Sequence, residues 1–507
     1  MGPRGDPLDA RVAVGHTAAM QTDQPPPRTL EDALALLAVV CAELAALRAE
    51  NGRLAARVQE LEARLGQNSS NSSRPPSSDP PTAPPARPTP PSGRRRGGQP
   101  GHPPHQRAVL PPEQVDVVVA HWPTHCRQCQ TPLGAEAAGE PVRHQVTELP
   151  PVRAVVTEHQ LQHVRCAGCG ATTCAVLPAD VPAGAFGPRL QATVAVLSGR
   201  YRLSRREVVG VCTDVLGAPL AVGSVDRLCQ ATAQALAEPV AALEQAVQQA
   251  PAAHADETSW REAGQRRWLW VVVTAVATVF TLAPSRGSGV IKGLLGESFA
   301  GYLISDRWSA YTWLDPARRQ VCWAHLKRDF QKLVDYGGPG RAIGQDALRL
   351  LAGLFGAWAD LRADPTQRVR FGRRARQYQW RLRRVLARGQ QGECDKTANV
   401  CTGLLKLWPA LWTFVTVPGV EPTNNAAEQA IRPAVLWRKG SFGTQSAAGN
   451  RFVERLLSVA ATCKQQDRSL LAYLTAVCTA AQAGRPIPSL LPTPPVPLPV
   501  TSTAQAA

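Results

Sequence analysis

The chain has 507 residues, 44% of them hydrophobic, and a formal net charge of +17. That length supports several domains with sizeable cores, and the basic balance suits a polyanionic partner, while the longest apolar run, Trp268 to Leu282, is too short and too threonine-rich for a membrane span. The N-terminus has no apolar signal region, so a cytoplasmic location is expected, and thirteen cysteines, an odd number, point to metal ligands and buried thiols before disulfides.

In chain order, residues 28–66 read as a coiled coil. Leu30, Leu37, Leu44, Val58 and Leu65 fall on one seam position and Val40, Leu47, Leu54 and Leu61 on the other. Asn51 is the one polar seam residue, and a buried amide at that position favours a dimer over other assemblies. A homodimer or higher oligomer is therefore expected. Residues 67–108 are rich in proline, serine and arginine and poor in apolar side chains, which reads as a disordered linker. Arg94, Arg95 and Arg96 within it are candidate phosphate contacts.

Residues 110–180 carry Cys126-x-x-Cys129 and Cys166-x-x-Cys169, two knuckles that can share one structural Zn²⁺. Their separation implies a β-excursion, with strands over "VDVVVAHWP" and "RAVVTEHQLQHVRC", so a small β-rich zinc-binding domain is expected. Cys174, His121, His125 and His163 are spare ligand candidates. Residues 186–248 read as helical, with one helix capped by Ser204 and a second by Ser224 across a short turn, the outline of a helix-turn-helix for DNA.

After Pro251 strands dominate. "AAHADETSWR" delivers Asp256 and Glu257, two apolar strands follow, then a helix, then "GYLISDRWSAY" ending in Asp306, then "RQVCWAHLKRDF" running from Cys322 and His325 into a basic helix. Hairpin strands, a crossover helix and further alternating elements read as a mixed sheet of the ribonuclease-H kind, in which Asp256 and Asp306 lie side by side. Further on, "PTNNAAEQAIRP" opens a helix. Glu428, three residues after Asn425, has the spacing of a capping box. Arg432, four residues on, is placed to pair with it. Residues 485–507 read as a Pro-rich disordered tail.

The motifs "HADETSW", "LISDRWSAY", "VCWAHLKRDF" and "TNNAAEQAIRP", in that order, resemble the transposase of the bacterial insertion-sequence family called IS66. The likeness extends to "LGQNSSNSSRPPSSD", "GGQPGH" and the cysteine knuckles. It implies a ribonuclease-H-like catalytic core over residues 250–484, with a helical insertion at about 338–411 and a DDE triad of Asp256, Asp306 and Glu428. Three converging carboxylates repel one another unless a divalent cation neutralises them, and hard oxygen ligands suit Mg²⁺ or Mn²⁺. The implied activity is metal-dependent cleavage and transfer of DNA strands at the ends of a mobile element, with small accessory proteins as further partners and the nucleoid as the place of work. Lys327, Arg328, Arg432, Arg438 and Lys439 are candidate phosphate contacts around that core. Arg307 and Trp308 stand where the family more often has glycine and tyrosine, and Gln429 where arginine is usual. An inactive DNA-binding derivative acting as a repressor, or a nuclease on the same fold, are the alternative functions.

Overall fold

The computed structural model describes residues 29–68, 71, 107–179 and 181–492. Most of the linker, with Arg94, Arg95 and Arg96, and the end of the tail lie outside them. The chain divides into two compact units, 1–83 and 84–507. Among the described residues the first contains one helix, α1 (Leu30–Leu65), started by a capping box between Thr29 and Asp32. Its seam residues, among them Leu37, Leu44, Leu54 and Leu61, are all exposed, so the helix has an apolar stripe with no partner from its own unit among the described residues. Among those residues no helix is long and apolar enough to cross a membrane.

In the second unit, the strands within residues 107–179 are those of a short hairpin, β1 (His163–Arg165) paired with β2 (Thr172–Cys174), around the second knuckle. The strand expected over "VDVVVAHWP" does not form, and of "RAVVTEHQLQHVRC" only the three residues of β1 are extended into a ladder. Val117, Val118 and Val119 are 74%, 78% and 66% exposed. β-Branched residues favour strands only where a neighbouring strand and a buried face are available, and here neither is.

Helices α2 (Pro188–Ala195), α3 (Arg205–Asp214), α4 (Val222–Ala235) and α5 (Ala237–Gln248) come next. Ser204 caps α3 as expected, in a capping box with Glu207. Ser224 does not cap α4. The helix starts two residues earlier, with Ala221 as its N-cap, and Ser224 already donates its backbone N–H to Ala221. These helices also share one hydrophobic core with the sheet and the C-terminal helices: Val225, Leu236 and Leu243 pack in the same cluster as Trp270, Leu456 and Leu474.

The sheet has five strands: β3 (Ala252–Glu262), β4 (Gln265–Val273), β5 (Thr278–Ala283), then, after α6 (Ser288–Leu295), β6 (Tyr302–Ser305) and β7 (Arg319–Val321). Their order is β5-β4-β3-β6-β7, with β3, β4 and β5 antiparallel and β6 and β7 parallel to their neighbours. Ala263 and Gly264, both at positive φ, close the β3–β4 hairpin in two residues. The strands alternate as a sheet buried on both faces requires. Trp270 and Val272 enter the core with α4, α5 and α6, while Leu269 and Val271 pack under the C-terminal helices.

Helix α7 (Trp323–Tyr336) leaves β7 and leads into α8 (Gly340–Ala363), α9 (Arg368–Gln390), α10 (Asp395–Lys406) and the short α11 (Thr413–Thr416). From Gly340 to Thr416 the chain is thus mainly helical, over the stretch 338–411 and some residues past it. These helices have their own core, in which Trp323, Phe330, Leu351, Leu404 and Phe414 meet. The edge of the sheet holds it through Gln320, whose amide donates to Leu411 O and accepts from Phe414 N. The chain returns in α12 (Asn425–Ser441) and ends in α13 (Ala447–Gln465) and α14 (Leu470–Gln482). Gly199, between α2 and α3, lies so close to α13 that a Cβ there would come within 1.6 Å of the Leu456 side chain.

Candidate active site

Strands β3 and β6 run parallel with a constant offset of fifty, Ala252 opposite Tyr302 through His254 opposite Ile304. Two residues further lie Asp256, still within β3, and Asp306, just past the end of β6. Period-two alternation puts Asp256 on the sheet face that Trp260 shares with α12 and α13, and that is the face from which Glu428 arrives. The carboxylates interact electrostatically. Burial, first, and then the charges of Glu257, Asp306 and Glu428 push the Asp256 carboxyl well above the usual range.

Glu428 is set in place by Asn424. The expected capping box between Asn425 and Glu428 does not form, because Asn425 is already the first helical residue and Asn424, the N-cap residue, makes no side-chain cap bond. Its side chain is used elsewhere: Nδ2 donates to Ala255 O at 2.8 Å, and Oδ1 lies 3.2 Å from His254 Nδ1. Its backbone N–H donates to Cys322 Sγ. Asn424 thus fastens the start of α12 to the strand residue before Asp256 and to the β7–α7 junction. It is 1% exposed. Released from capping, Glu428 turns Oε1 inward, 3.5 Å from His325 Nδ1 and 3.9 Å from Arg328, not toward Arg432. Both Glu428 Oε1 and His325 Nδ1 are buried without a hydrogen-bond partner. A buried carboxylate oxygen without a hydrogen-bond partner, on the face that carries Asp256, fits a divalent cation.

The opposite face braces the strands. Glu257 accepts from Tyr311 OH at 2.6 Å and pairs with Arg286 at 2.6 Å, and Arg286 stacks over Trp308 and Trp268. Asp306 Oδ1 accepts the backbone N–H of Trp308, which fixes the turn after β6. Arg319, only 1% exposed, donates to Asp306 O at 3.4 Å and brings a buried positive charge toward the acids. Arg307 forms an ion pair with Asp329 of α7 at 2.6 Å. Arg286 and Arg319 carry no sequence signal that separates them from ordinary surface or core residues; Tyr311, His325 and Asn424 lie inside the quoted motifs without a role legible there, and Glu257 is visible only as the neighbour of Asp256.

The basic residues divide. Lys327, Arg432 and Lys439 are exposed and Arg328 lies beside Glu428. Arg438 instead donates to Thr258 and Ser259 of β3, which anchors the last turn of α12 to the sheet. A cavity of about 790 Å³ opens between His254, Glu421, Asn425, Gln429 and Lys464, and none of the three acids lines it.

In chelator, Asp256→Asn is expected to raise the melting temperature near neutral pH. A carboxyl whose folded pKa is raised costs the fold nothing below its unfolded value, about 3.9, and destabilises it increasingly as pH rises toward the folded value. The gain should therefore shrink as pH is lowered to that value. Thermal melts of both proteins across pH check it, and a gain that grows toward acid would contradict the assignment.

Each cysteine knuckle is a tight turn. Cys126 N donates to Thr131 O and Gln130 N to Cys126 O, and Cys166 N donates to Ala171 O and Gly170 N to Cys166 O. Gln130 and Gly170 occupy the same left-handed position of the two turns. Hydrogen bonds, chiefly from Thr131, bring the Cys129 thiol down to about 7, and backbone bonds at Cys169 and Gly168 lower that of Cys166. Soft thiols poised to ionise fit zinc. The structure brings them together in pairs: among the described residues the four sulfurs do not form one cluster. Zinc chelation is expected to increase protease cutting within residues 115–178 and to weaken DNA binding while the sheet stays folded, since metal-binding energy in such a module is folding energy. Unchanged DNA affinity after verified metal loss would remove the module from DNA docking.

The chain is thus a basic protein with a mixed sheet that carries Asp256 within its central strand and Asp306 just past the end of the neighbouring one. The family comparison narrows this. Residues 183–451, more than half of the chain, match the family described as Transposase IS66 family, and residues 123–170 match the zinc-finger binding domain of transposase IS66. The chain belongs to the IS66 family of transposases. Residues 23–108 match a family of unknown function, and no curated protein matches the chain.

Proposed function

We propose that the chain binds the ends of an insertion sequence and, at Asp256, Asp306 and Glu428, cuts DNA and joins the freed 3′-end to a target. The observation that carries this reading is the electrostatic influence of Asp306 and Glu428 on the buried Asp256 carboxyl, with Glu428 Oε1 itself buried and without a hydrogen-bond partner. Divalent ions held by these acids, Mg²⁺ or Mn²⁺, would supply charge neutralisation at the phosphate and activation of the attacking oxygen. The chain's own residues do the positioning. Asn424 sets the height of Glu428 against Asp256, the Glu257–Tyr311–Arg286 group keeps β3 from shifting, and Arg319 offsets the charge of Asp306. Lys327, Arg328, Arg432 and Lys439 hold flanking phosphates. Arg94, Arg95 and Arg96 would add contacts from the linker.

The zinc-binding region, through Cys126, Cys129, Cys166 and Cys169, and helices α3 and α4 recognise the element ends. The exposed stripe of α1 pairs two copies of the chain, with Asn51 in the seam. Damage to an acid would favour a repressor, and all three acids are present. A marked element placed in a host with this chain, with and without small accessory proteins, tests the reading. Insertion that is lost with Asp306→Asn supports it, and insertion that persists with that variant refutes it.

A further inference from the structure

Cys322, His325 and Glu428 offer Sγ, Nδ1 and a carboxylate oxygen that all lie within 4.8 Å of one another. Two of these atoms, His325 Nδ1 and Glu428 Oε1, are buried, face each other at 3.5 Å and make no hydrogen bond. Bonds of about 2.0 Å to nitrogen and oxygen and about 2.3 Å to sulfur place the ligands of a tetrahedral ion roughly 3.3–3.5 Å apart, so the cluster has nearly the span of such a site before any ion enters. We propose that Cys322, His325 and Glu428 bind a borderline-soft divalent ion of the zinc class, and that an ion held there withdraws Glu428 from Asp256 and Asp306.

The donor set makes this site different from the acidic one. Thiolate and imidazole favour zinc over magnesium, which prefers oxygen ligands and retains its water. Three protein ligands leave a fourth position for water. The thiol proton leaves to solvent as the Cys322–ion bond forms. Cys322 is the N-cap of α7, His325 lies one turn on, and Asn424 ties the start of α12 to that same sulfur, so the three ligands come from two helix starts already bolted together. The zinc-finger match at residues 123–170 supports a structural ion of this class elsewhere in the chain. An ion at Cys322 would thus link zinc supply to DNA cleavage; that regulatory consequence, but not the binding, rests on the proposed role of Glu428.

Cobalt titration of the full-length protein tests the binding. Cys322→Ser keeps an acceptor for the Asn424 N–H and leaves both knuckles untouched, so the wild-type spectrum minus that of Cys322→Ser isolates this site. A thiolate-to-cobalt charge-transfer band in the difference supports the site, and identical spectra at saturating cobalt overturn it. His325→Asn, which retains all thiols, provides the second variant: it should weaken cobalt binding at this site by at least roughly tenfold, and unaltered binding would count against the site. In DNA cleavage with Mg²⁺, each protein, its knuckles loaded with zinc, is then compared with its own rate at no excess zinc. Wild type should lose activity as zinc is added, and Cys322→Ser should need at least roughly tenfold more zinc for the same loss. Equal zinc sensitivity would overturn the claim that the ion withdraws Glu428. Absence of cleavage by any form, even without excess zinc, would count against the proposed function, while the cobalt result would still decide the site.

Discussion

Glu428→Gln is expected to lower DNA cleavage by roughly a thousandfold or more while leaving the fold intact. Loss of one carboxylate from a divalent centre removes several kcal/mol of charge stabilisation in the transition state, and each 1.36 kcal/mol is a factor of ten. Glutamine has nearly the same shape, and the side chain it replaces makes no capping bond, so nothing that holds α12 is disturbed. The helix start is set by Asn424, which the substitution does not touch. Cleavage of labelled element-end DNA in Mg²⁺, alongside a thermal melt, measures both quantities. Near-normal cleavage would place the third acid elsewhere, with Glu421 and Glu454 nearest in sequence. Glu454 is already engaged, accepting the backbone N–H of Leu282 at 2.6 Å.

The second large effect is expected at Trp323, which has 0% exposure. Its ring packs edge-on against Trp412 at 5.0 Å, and its Nε1–H donates to Leu411 O at 2.7 Å. Truncation to alanine should cost about 3–5 kcal/mol, the usual range for a buried aromatic lost from a core, and leaves Leu411 O short of a donor. The damage should not stay in the insertion. Trp323 opens α7, so His325 and Arg328, one turn on beside Glu428, should lose their positions. Denaturant melts give the stability loss, and cleavage at a temperature where the variant is still folded gives the effect on the site. Trp323→Phe should recover most of the packing and part of the activity; full stability in Trp323→Ala would mean that the insertion does not lean on this residue.

Much of this arrangement is legible in the sequence, and the exceptions have physical causes. The order of strands and helices from Ala252 onward follows from alternating apolar residues and from the helix between β5 and β6. The fifty-residue offset between β3 and β6 is a register that parallel pairing preserves. Local rules fail where a tertiary contact outbids them. Asn425 and Glu428 have capping-box spacing, yet the helix begins at Asn425 and Asn424 spends its amide on β3. Val117 to Val119 have strand composition but no neighbouring strand to pair with. Arg438 reads as a phosphate contact and is instead bonded to Thr258 and Ser259. The bracing residues were not legible at all, because a lone arginine such as Arg319 or a tyrosine such as Tyr311 has no spacing pattern, and its role exists only once β6 and β7 are side by side.

The most direct test of the central claim uses purified protein, Mg²⁺, a DNA end already cut to expose its 3′-hydroxyl and a plasmid target. The three-carboxylate account predicts joined product with the wild-type chain and none with Asp256→Asn, Asp306→Asn or Glu428→Gln, with DNA binding retained in all three and double variants no worse than single ones, as for residues acting as one unit. Joined product at wild-type levels from any one of the three variants would contradict it.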